Sequence, residues 1–492
     1  MAEGAEGRFV TGSTMRHVAV MTATGSVGLS FMFLVDFATL FYVSLLGDET
    51  LTAGVGFAWA IQFLTVSVGV GLSIAAMALV SRSIGARERE KARGQATAAL
   101  LISGVVLTGT ALLILLLRRP VLDLIGAEAE AAEVAARFLL ISVPSLPLVG
   151  LGMVAASTLR AEGAARKAML VTVSSGTAAL ILDPLLIFGL GLGVDGAAFA
   201  MVLSRGMAAL VGLRYCLGLS LLGPASLWRA RAVAPAFFAI AGPAILTQLS
   251  TPLGNILMTW WISSWGDSAV AGWAVASRLT VLAFGGIFAL SGAIGGIIGQ
   301  NYGARRADRV ASAYRDSLIF AAGYVVSVWA LLALFAPLIV RGFGVTETGA
   351  SVVYAFCFIG AGGFMFNGAL FVANAAFNNL GRPLLSTAFN WVRDAGVTPL
   401  MLLAAPASLG APGVVYAQAG AGVVVGSVAV LAGWRLTRNV AFGAPPAPAP
   451  APLPGGATAK GAGAILHAAD GAGGSTGAAA RHDLETDAGT PR

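Results

Sequence analysis

Leu46-Gly47-Asp48-Glu49-Thr50-Leu51-Thr52-Ala53-Gly54 returns, with one gap beside Gly-Asp, as Trp265-Gly266-Asp267-Ser268-Ala269-Val270-Ala271-Gly272. Ile84-Gly85-Ala86-Arg87 returns as Tyr302-Gly303-Ala304-Arg305, and Gly85 to Gly303 is the same separation as Gly54 to Gly272. Gly193-Val194-Asp195-Gly196-Ala197-Ala198-Phe199-Ala200 lines up with Gly410-Ala411-Pro412-Gly413-Val414-Val415-Tyr416-Ala417, at a separation shorter by a single position. Each match falls at the end of a long apolar run. The chain therefore reads as two copies of one helical unit in the same orientation, related by a pseudo-twofold axis along the membrane normal.

The solvent for those runs is a bilayer. Of the 492 residues 57% are hydrophobic and only 11% charged, and the mean hydropathy of +0.84 leaves too little polar surface to cover a soluble globule. The 64 glycines suit close approach of membrane helices. Although the net charge is +7, the basic residues sit at the ends of apolar runs and form no stripe with interleaved aromatics, so no nucleic acid is expected as a partner. Cys216 and Cys357 have no ligand spacing, and His17, His467 and His482 lie in the termini. No metal, cofactor or enzyme chemistry is therefore expected within the membrane. The run after Arg16 is too long for a cleavable leader and reads as a retained first helix.

Apolar runs between charge clusters give twelve transmembrane helices, near 17–46, 51–82, 93–118, 132–158, 166–190, 194–219, 234–264, 268–300, 309–338, 348–379, 383–406 and 411–437. The expected organisation is a cytoplasmic segment (1–16), an N-terminal six-helix bundle (17–219), a cytoplasmic linker (220–233), a C-terminal six-helix bundle (234–440) and a disordered Ala/Pro/Gly-rich cytoplasmic tail (441–492). Basic residues cluster after the even-numbered helices, at Arg82 to Arg93, Arg160 to Lys167, Arg214 to Arg231 and Arg305 to Arg315. Acids dominate after the odd-numbered ones, so both termini are expected in the cytoplasm, with the protein in the cell inner (plasma) membrane.

At this point the chain resembles a known family. Gly47-Asp48 after a first helix with Asp36, Gly85-Ala86-Arg87, Leu159-Arg160-Ala161-Glu162-Gly163, Leu182-Asp183-Pro184-Leu185, Gly193-Val194-Asp195-Gly196-Ala197-Ala198, Gly299-Gln300-Asn301-Tyr302-Gly303-Ala304 and Phe377-Asn378-Asn379-Leu380-Gly381-Arg382-Pro383 together look like the multidrug and toxic compound extrusion (MATE) family, and within it the DNA-damage-inducible branch. The resemblance spans roughly residues 15 to 440. It implies an all-α membrane protein with two six-helix bundles around a V-shaped central cleft, exporting organic cations or other amphiphiles against inward proton or sodium movement.

Carboxylates in hydrocarbon are costly and usually serve a cavity. Asp36 and Asp183 fall mid-span in the first half and are the expected cation-coupling residues. Burial favours the protonated form of a carboxyl group, which coupling to protons requires. Pro184 removes a backbone donor beside Asp183 and can kink the helix. The resemblance also matches both acids to the family's first-half cation site. Ala179 and Met201 stand where Asn and Thr are usual, which takes away oxygen ligands and favours protons over sodium. Thr251 and Asn367 stand where sodium-coupled relatives carry acids, so the titrating groups are expected in the first half alone.

Arg278 is a possible internal counter-charge, while Arg205 and the Arg393/Asp394 pair read as structural. Candidates for the substrate cleft are Gln62, Gln248, Thr251, Asn255, Trp261, Phe288 and Asn367, with Trp260, Phe284, Phe364 and Phe366 as further aromatics. The expected activity is proton-coupled antiport of amphiphilic or cationic compounds by a monomer in membrane lipid. Sodium-coupled efflux and a lipid or oligosaccharide flippase are the transport alternatives, and a non-transporting receptor or scaffold is the alternative of a different class.

Overall fold

A computed structural model describes residues 6–440 and 442, so the expected tail, 441–492, lies outside the described residues apart from Phe442. Twelve helical runs follow one another: α1 (Thr14–Ser44), α2 (Glu49–Gly85), α3 (Arg89–Leu124), α4 (Ala129–Ala161), α5 (Ala165–Gly189), α6 (Gly193–Gly218), α7 (Leu227–Ser263), α8 (Asp267–Ala283 and Gly285–Gly303), α9 (Ala307–Gly342), α10 (Glu347–Asn379), α11 (383–404) and α12 (Pro412–Arg438). Among the described residues there is no strand. Ten of these are single runs long and apolar enough to cross a membrane, and the bent α8 makes eleven. The twelfth, α11, carries Arg393 and Asp394 in its middle.

Local chemistry explains where the helices start and stop. Asp48 caps α2, its carboxylate accepting from the amides of Thr50 (2.8 Å) and Leu51 (3.4 Å). Ser226 accepts from the Arg229 amide, and this cap starts α7 at Leu227, ahead of the run read from hydropathy. The same run carries Pro235, Pro243 and Pro252 without ending. The expected continuous eighth helix is instead bent by 46° at Phe284. Gly285 and Gly286 follow the bend, and Tyr324 of α9 occupies the space over Gly286, where a Cβ would come within 2.5 Å of its ring. Its hydroxyl donates to the Ala283 carbonyl (2.9 Å) and accepts from the Gly286 amide (3.3 Å), replacing backbone bonds that the bend opens.

The repeat is visible in the backbone itself. Left-handed conformations fall at Arg87 and Arg305, at Gly126 and Gly344, and at Gly163 and Gly381, pairs that all share the separation of Gly85 from Gly303. Gly193 and Gly410 add a fourth pair, closer by a single position. The turn chemistry of one half is thus reproduced in the other. Packing follows the same plan: Gly54 of α2 lies on Ala131 and Val134 of α4, as Gly272 of α8 lies on Gly349 of α10.

The halves meet along α1 and α2 on one side and α7, α8 and α9 on the other. Closest approach is at the ends of α2 and α8. A Cβ on Gly85 would stand 1.9 Å from the Gln300 carbonyl oxygen, and one on Gly303 would stand 1.9 Å from that of Arg82. Arg82 then crosses the seam, donating to the carbonyls of Asn378 (2.9 Å) and Asn379 (3.0 Å). Toward the opposite ends of α1, α2 and α7 the side chains open to space, with Phe37, Phe63 and Trp260 more than half exposed.

Candidate functional site

α1 and α5 pack side by side in the first half, with Gly28 of α1 on Met169 and Thr172, and Gly176 of α5 on Phe31 and Val35. This close contact brings Asp183 of α5 against α1. Its carboxylate is buried, 1% exposed, and accepts a hydrogen bond from the Thr39 hydroxyl. Asp36 stands one helical turn before Thr39 and so shares its face. The two carboxylates are near enough for their charges to repel. Asp36 is nevertheless exposed, and no hydrogen bond holds its carboxylate among the described residues. One acid is thus exposed while its neighbour is enclosed, an arrangement in which a change of charge on Asp36 alters the field at Asp183.

Pro184 follows at once, and the chain then widens into a π-helical turn over Leu185–Gly189. A proline has no amide hydrogen, so the Leu180 carbonyl loses its usual donor, and a wider turn relieves the clash of the ring with the preceding turn. Sequence indicated the kink but not its form.

Titrating groups were expected in the first half alone, with the Arg393/Asp394 pair of the second half read as structural, and the structure shows how that pair is held. Asp394 lies in a π-helical turn, Val392–Val397, and is enclosed together with Arg393. Arg393 Nε donates to Asp394 Oδ1 (2.7 Å) and Nη2 to Oδ2 (2.9 Å), while Nη1 donates to Asn367 Oδ1 (3.1 Å). Adjacent residues of a regular helix diverge, and the π turn lets these two meet. Gly254, which takes the place of Asp36 in the repeat, lies against Asp394, so an open carboxylate in the first half gives way to a backbone surface in the second. Asp316 of α9 is likewise buried and bonded, to the Thr14 hydroxyl and Arg315.

The other candidates divide by location. Gln62 is enclosed in the first bundle, its amide donating to Ser142 Oγ (3.1 Å) and its carbonyl accepting from Arg205, which also donates to Ser142 O (3.0 Å) and Ser145 Oγ (2.8 Å). Phe284 and Phe364 stack at 4.1 Å, with Phe288 and Phe371 against them, filling the bend of α8. Thr251, Asn255 and Arg278 are exposed, and Gln248, Trp261 and Phe288 are half-buried. Arg278 has neither hydrogen bond nor ion pair among the described residues. Arg160, read from the sequence as one of a cytoplasmic cluster, turns back between the halves. Its Nε is buried without a partner and comes within 3.9 Å of a Cβ built on Gly292.

A strap before α1 was not foreseen. Phe9 is 1% exposed. Its amide donates to Gln300 Oε1 (2.8 Å), and its carbonyl accepts from Asn301 Nδ2 (3.2 Å) and Arg309 Nη2 (2.8 Å). Arg8 donates to the Gly163 carbonyl (3.1 Å) on the first half. Residues 8 and 9 therefore span the seam. Their only sequence signal is an aromatic residue amid a polar segment.

The MatE family model matches residues 26–185 and 243–397. The chain is 28% identical to an FAD transporter of Shewanella oneidensis over 64% of its own length and 71% of the relative's. It is 24% identical to the multidrug export protein MepA of Staphylococcus saprophyticus over 54% of its length, spanning 59% of that relative. A crystal structure of the Vibrio cholerae MATE transporter VcmN shares the fold, with a TM-score of 0.82 at 24% identity over 86% of this chain and 97% of that one.

Proposed function

The chain belongs to the MatE family, and from that premise we propose that it is a secondary antiporter exporting amphiphilic or cationic organic compounds in exchange for protons. The observation that carries the reading is the pairing of open Asp36 with enclosed Asp183 through the α1 face that holds Thr39. With the far ends of α1, α2 and α7 open, a proton reaches Asp36 and removes one of two neighbouring negative charges. Loss of that repulsion lets α1 close on α5 and releases a cationic substrate outward. The halves then part at the Gly85/Gly303 seam, and substrate from the other side displaces the proton. The energy source is therefore the competition of proton and substrate for one carboxylate site.

Protons are favoured over sodium because Ala179 and Met201 stand at the positions where the resemblance implies oxygen ligands, and sodium needs several oxygens. The clusters of arginine after the even-numbered helices support both termini being cytoplasmic, in the inner membrane of the cell. The protein acts without a cofactor and as a monomer.

A second reading has its own support. Among the described residues Arg278 has no hydrogen bond or ion pair and the buried Nε of Arg160 has no partner, and a relative named as an FAD transporter is 28% identical. An anionic substrate would satisfy such cations.

Inside-out vesicles test both. A fluorescent cation is expected to accumulate when the lumen is acid, to do so without a sodium gradient, and to stop doing so in Asp36→Asn. Accumulation that follows sodium alone overturns proton coupling. Accumulation of a flavin nucleotide but of no organic cation selects the second reading.

A further inference from the structure

A cavity of about 730 Å³ opens beside the strap, in the size range of small-ligand sites, about 300–1,000 Å³. Its walls come from Arg8, Phe9, Gly12 and Ser13, the first turns of α1, the α4–α5 turn and Leu219 after α6. Arg8, Arg16, His17, Arg166 and Lys167 line it, and no acid does. The neighbouring acids are engaged elsewhere: Glu6 with Arg87, Glu162 with Arg89, and Asp316 with Arg315 and Thr14. Arg8 bonds the Gly163 carbonyl, His17 Nε2 meets the Thr11 carbonyl (2.7 Å), and Lys167 lies 5.7 Å over the Tyr215 ring. The Arg16 and Arg166 side chains have no hydrogen bond or ion pair among the described residues. Four permanent cations thus share one concave space, with no acid lining it among the described residues. The remaining wall is apolar, from Val20, Met21 and Leu219, and Val20 is 53% exposed.

From this cavity we infer a binding site for a phosphate-bearing anion with an apolar tail, of the class of an anionic phospholipid, its phosphate between Arg16 and Arg166 and its chain along Val20 and Leu219. A guanidinium pair matches phosphate oxygens in charge and geometry, and a basic hollow at a membrane boundary is where such head groups are retained. Because strap residues form one wall and the α4–α5 turn the other, the bound anion ties the strap to the first half. The inference does not depend on the identity of the exported compound.

The test is native mass spectrometry of the full chain from nanodiscs of phosphatidylcholine doped with phosphatidylglycerol, comparing the wild type, Arg16→Gln/Arg166→Gln, Arg16→Lys/Arg166→Lys and, as a control outside the cavity, Arg214→Gln. The wild type should retain phosphatidylglycerol over phosphatidylcholine. Retention should fall about 30-fold in the double Gln variant, remain in the double Lys variant and be untouched in the control. Glycerol phosphate stabilising the wild type as strongly in pure phosphatidylcholine would uphold the site and assign it to a soluble ligand. Equal retention of both lipids by the wild type with no effect of glycerol phosphate, or equal loss in Arg214→Gln, would overturn the inference.

Discussion

Gly85 and Gly303 close the seam between the halves reciprocally, each leaving room only for a backbone carbonyl one helical turn before the other, Gln300 for Gly85 and Arg82 for Gly303. The two glycines are repeat mates, so the contact lies on the pseudo-twofold axis. An added methyl would meet backbone that cannot turn aside. Overpacking of this kind costs about 1–3 kcal/mol, here charged only to the state in which the seam is shut. Gly85→Ala is therefore expected to shift the population toward the seam-open state by roughly 5- to 150-fold, and Gly303→Ala likewise. Thiol labelling of Ser81→Cys, which faces Gly299 across the same seam, should accelerate correspondingly in a background lacking Cys216 and Cys357. Unchanged labelling would show that the seam is not the closing contact.

The strap adds a second lock. Phe9 is enclosed and its backbone is held by Gln300, Asn301 and Arg309. Replacing a buried Phe by Ala costs about 3–5 kcal/mol where the site cannot collapse. Phe9→Ala should raise hydrogen exchange in 296–303 and 161–165 together, since the strap touches both, while leaving α12 protected. Exchange raised in only one of the two segments would mean that the strap does not link the halves.

How much of this was legible in the sequence depends on which residues carried it. Asp48, Arg87 and Gly193 lie at turns and recur, as Asp267, Arg305 and Gly410, at separations that differ by no more than a position from one to the next, so the helix order and the repeat followed directly, and most helix ends fall within a few residues of the apolar runs. The bend at Phe284 did not, because Gly285-Gly286 sits in an unbroken apolar stretch and the compensating hydroxyl comes from Tyr324 on the next helix. Asp36 and Asp183 stood out as charges in hydrocarbon. That Asp36 is open and Asp183 enclosed depends on helix rotation, and the apolar pattern of α1 is too uniform to fix it. Gln62 looked like a cleft residue, yet its partner Arg205 lies 143 positions on. Pairings of that range are set by packing and leave no local mark.

Thr39 is the one hydroxyl donor to Asp183 among the described residues. Hydrogen bonds to charged groups contribute about 1.5–3 kcal/mol, so Thr39→Val should weaken proton-driven efflux by about 10- to 150-fold. Thr39→Ser, which keeps the hydroxyl, should retain it. Equal loss in both variants, read as initial rates in proteoliposomes, would point to packing by the Thr39 methyl instead.

Arg393 and Asp394 neutralise each other in a buried π turn. Removing one partner strands a charge, at a cost of about 3–5 kcal/mol, whereas removing both is often close to neutral. Arg393→Leu should therefore lower the melting temperature in detergent markedly. Arg393→Leu/Asp394→Leu should recover most of the loss, with transport preserved. Recovered stability without recovered transport would assign Asp394 a part in the transport cycle.

The central claim is that substrate and proton compete for the Asp36/Asp183 pair. It is tested most directly by following a pH indicator while substrate is added to weakly buffered, purified protein. The account predicts proton release from the wild type that saturates with substrate and is abolished in Asp36→Asn/Asp183→Asn. Substrate binding with no proton release from the wild type, or release undiminished in the double variant, would contradict it.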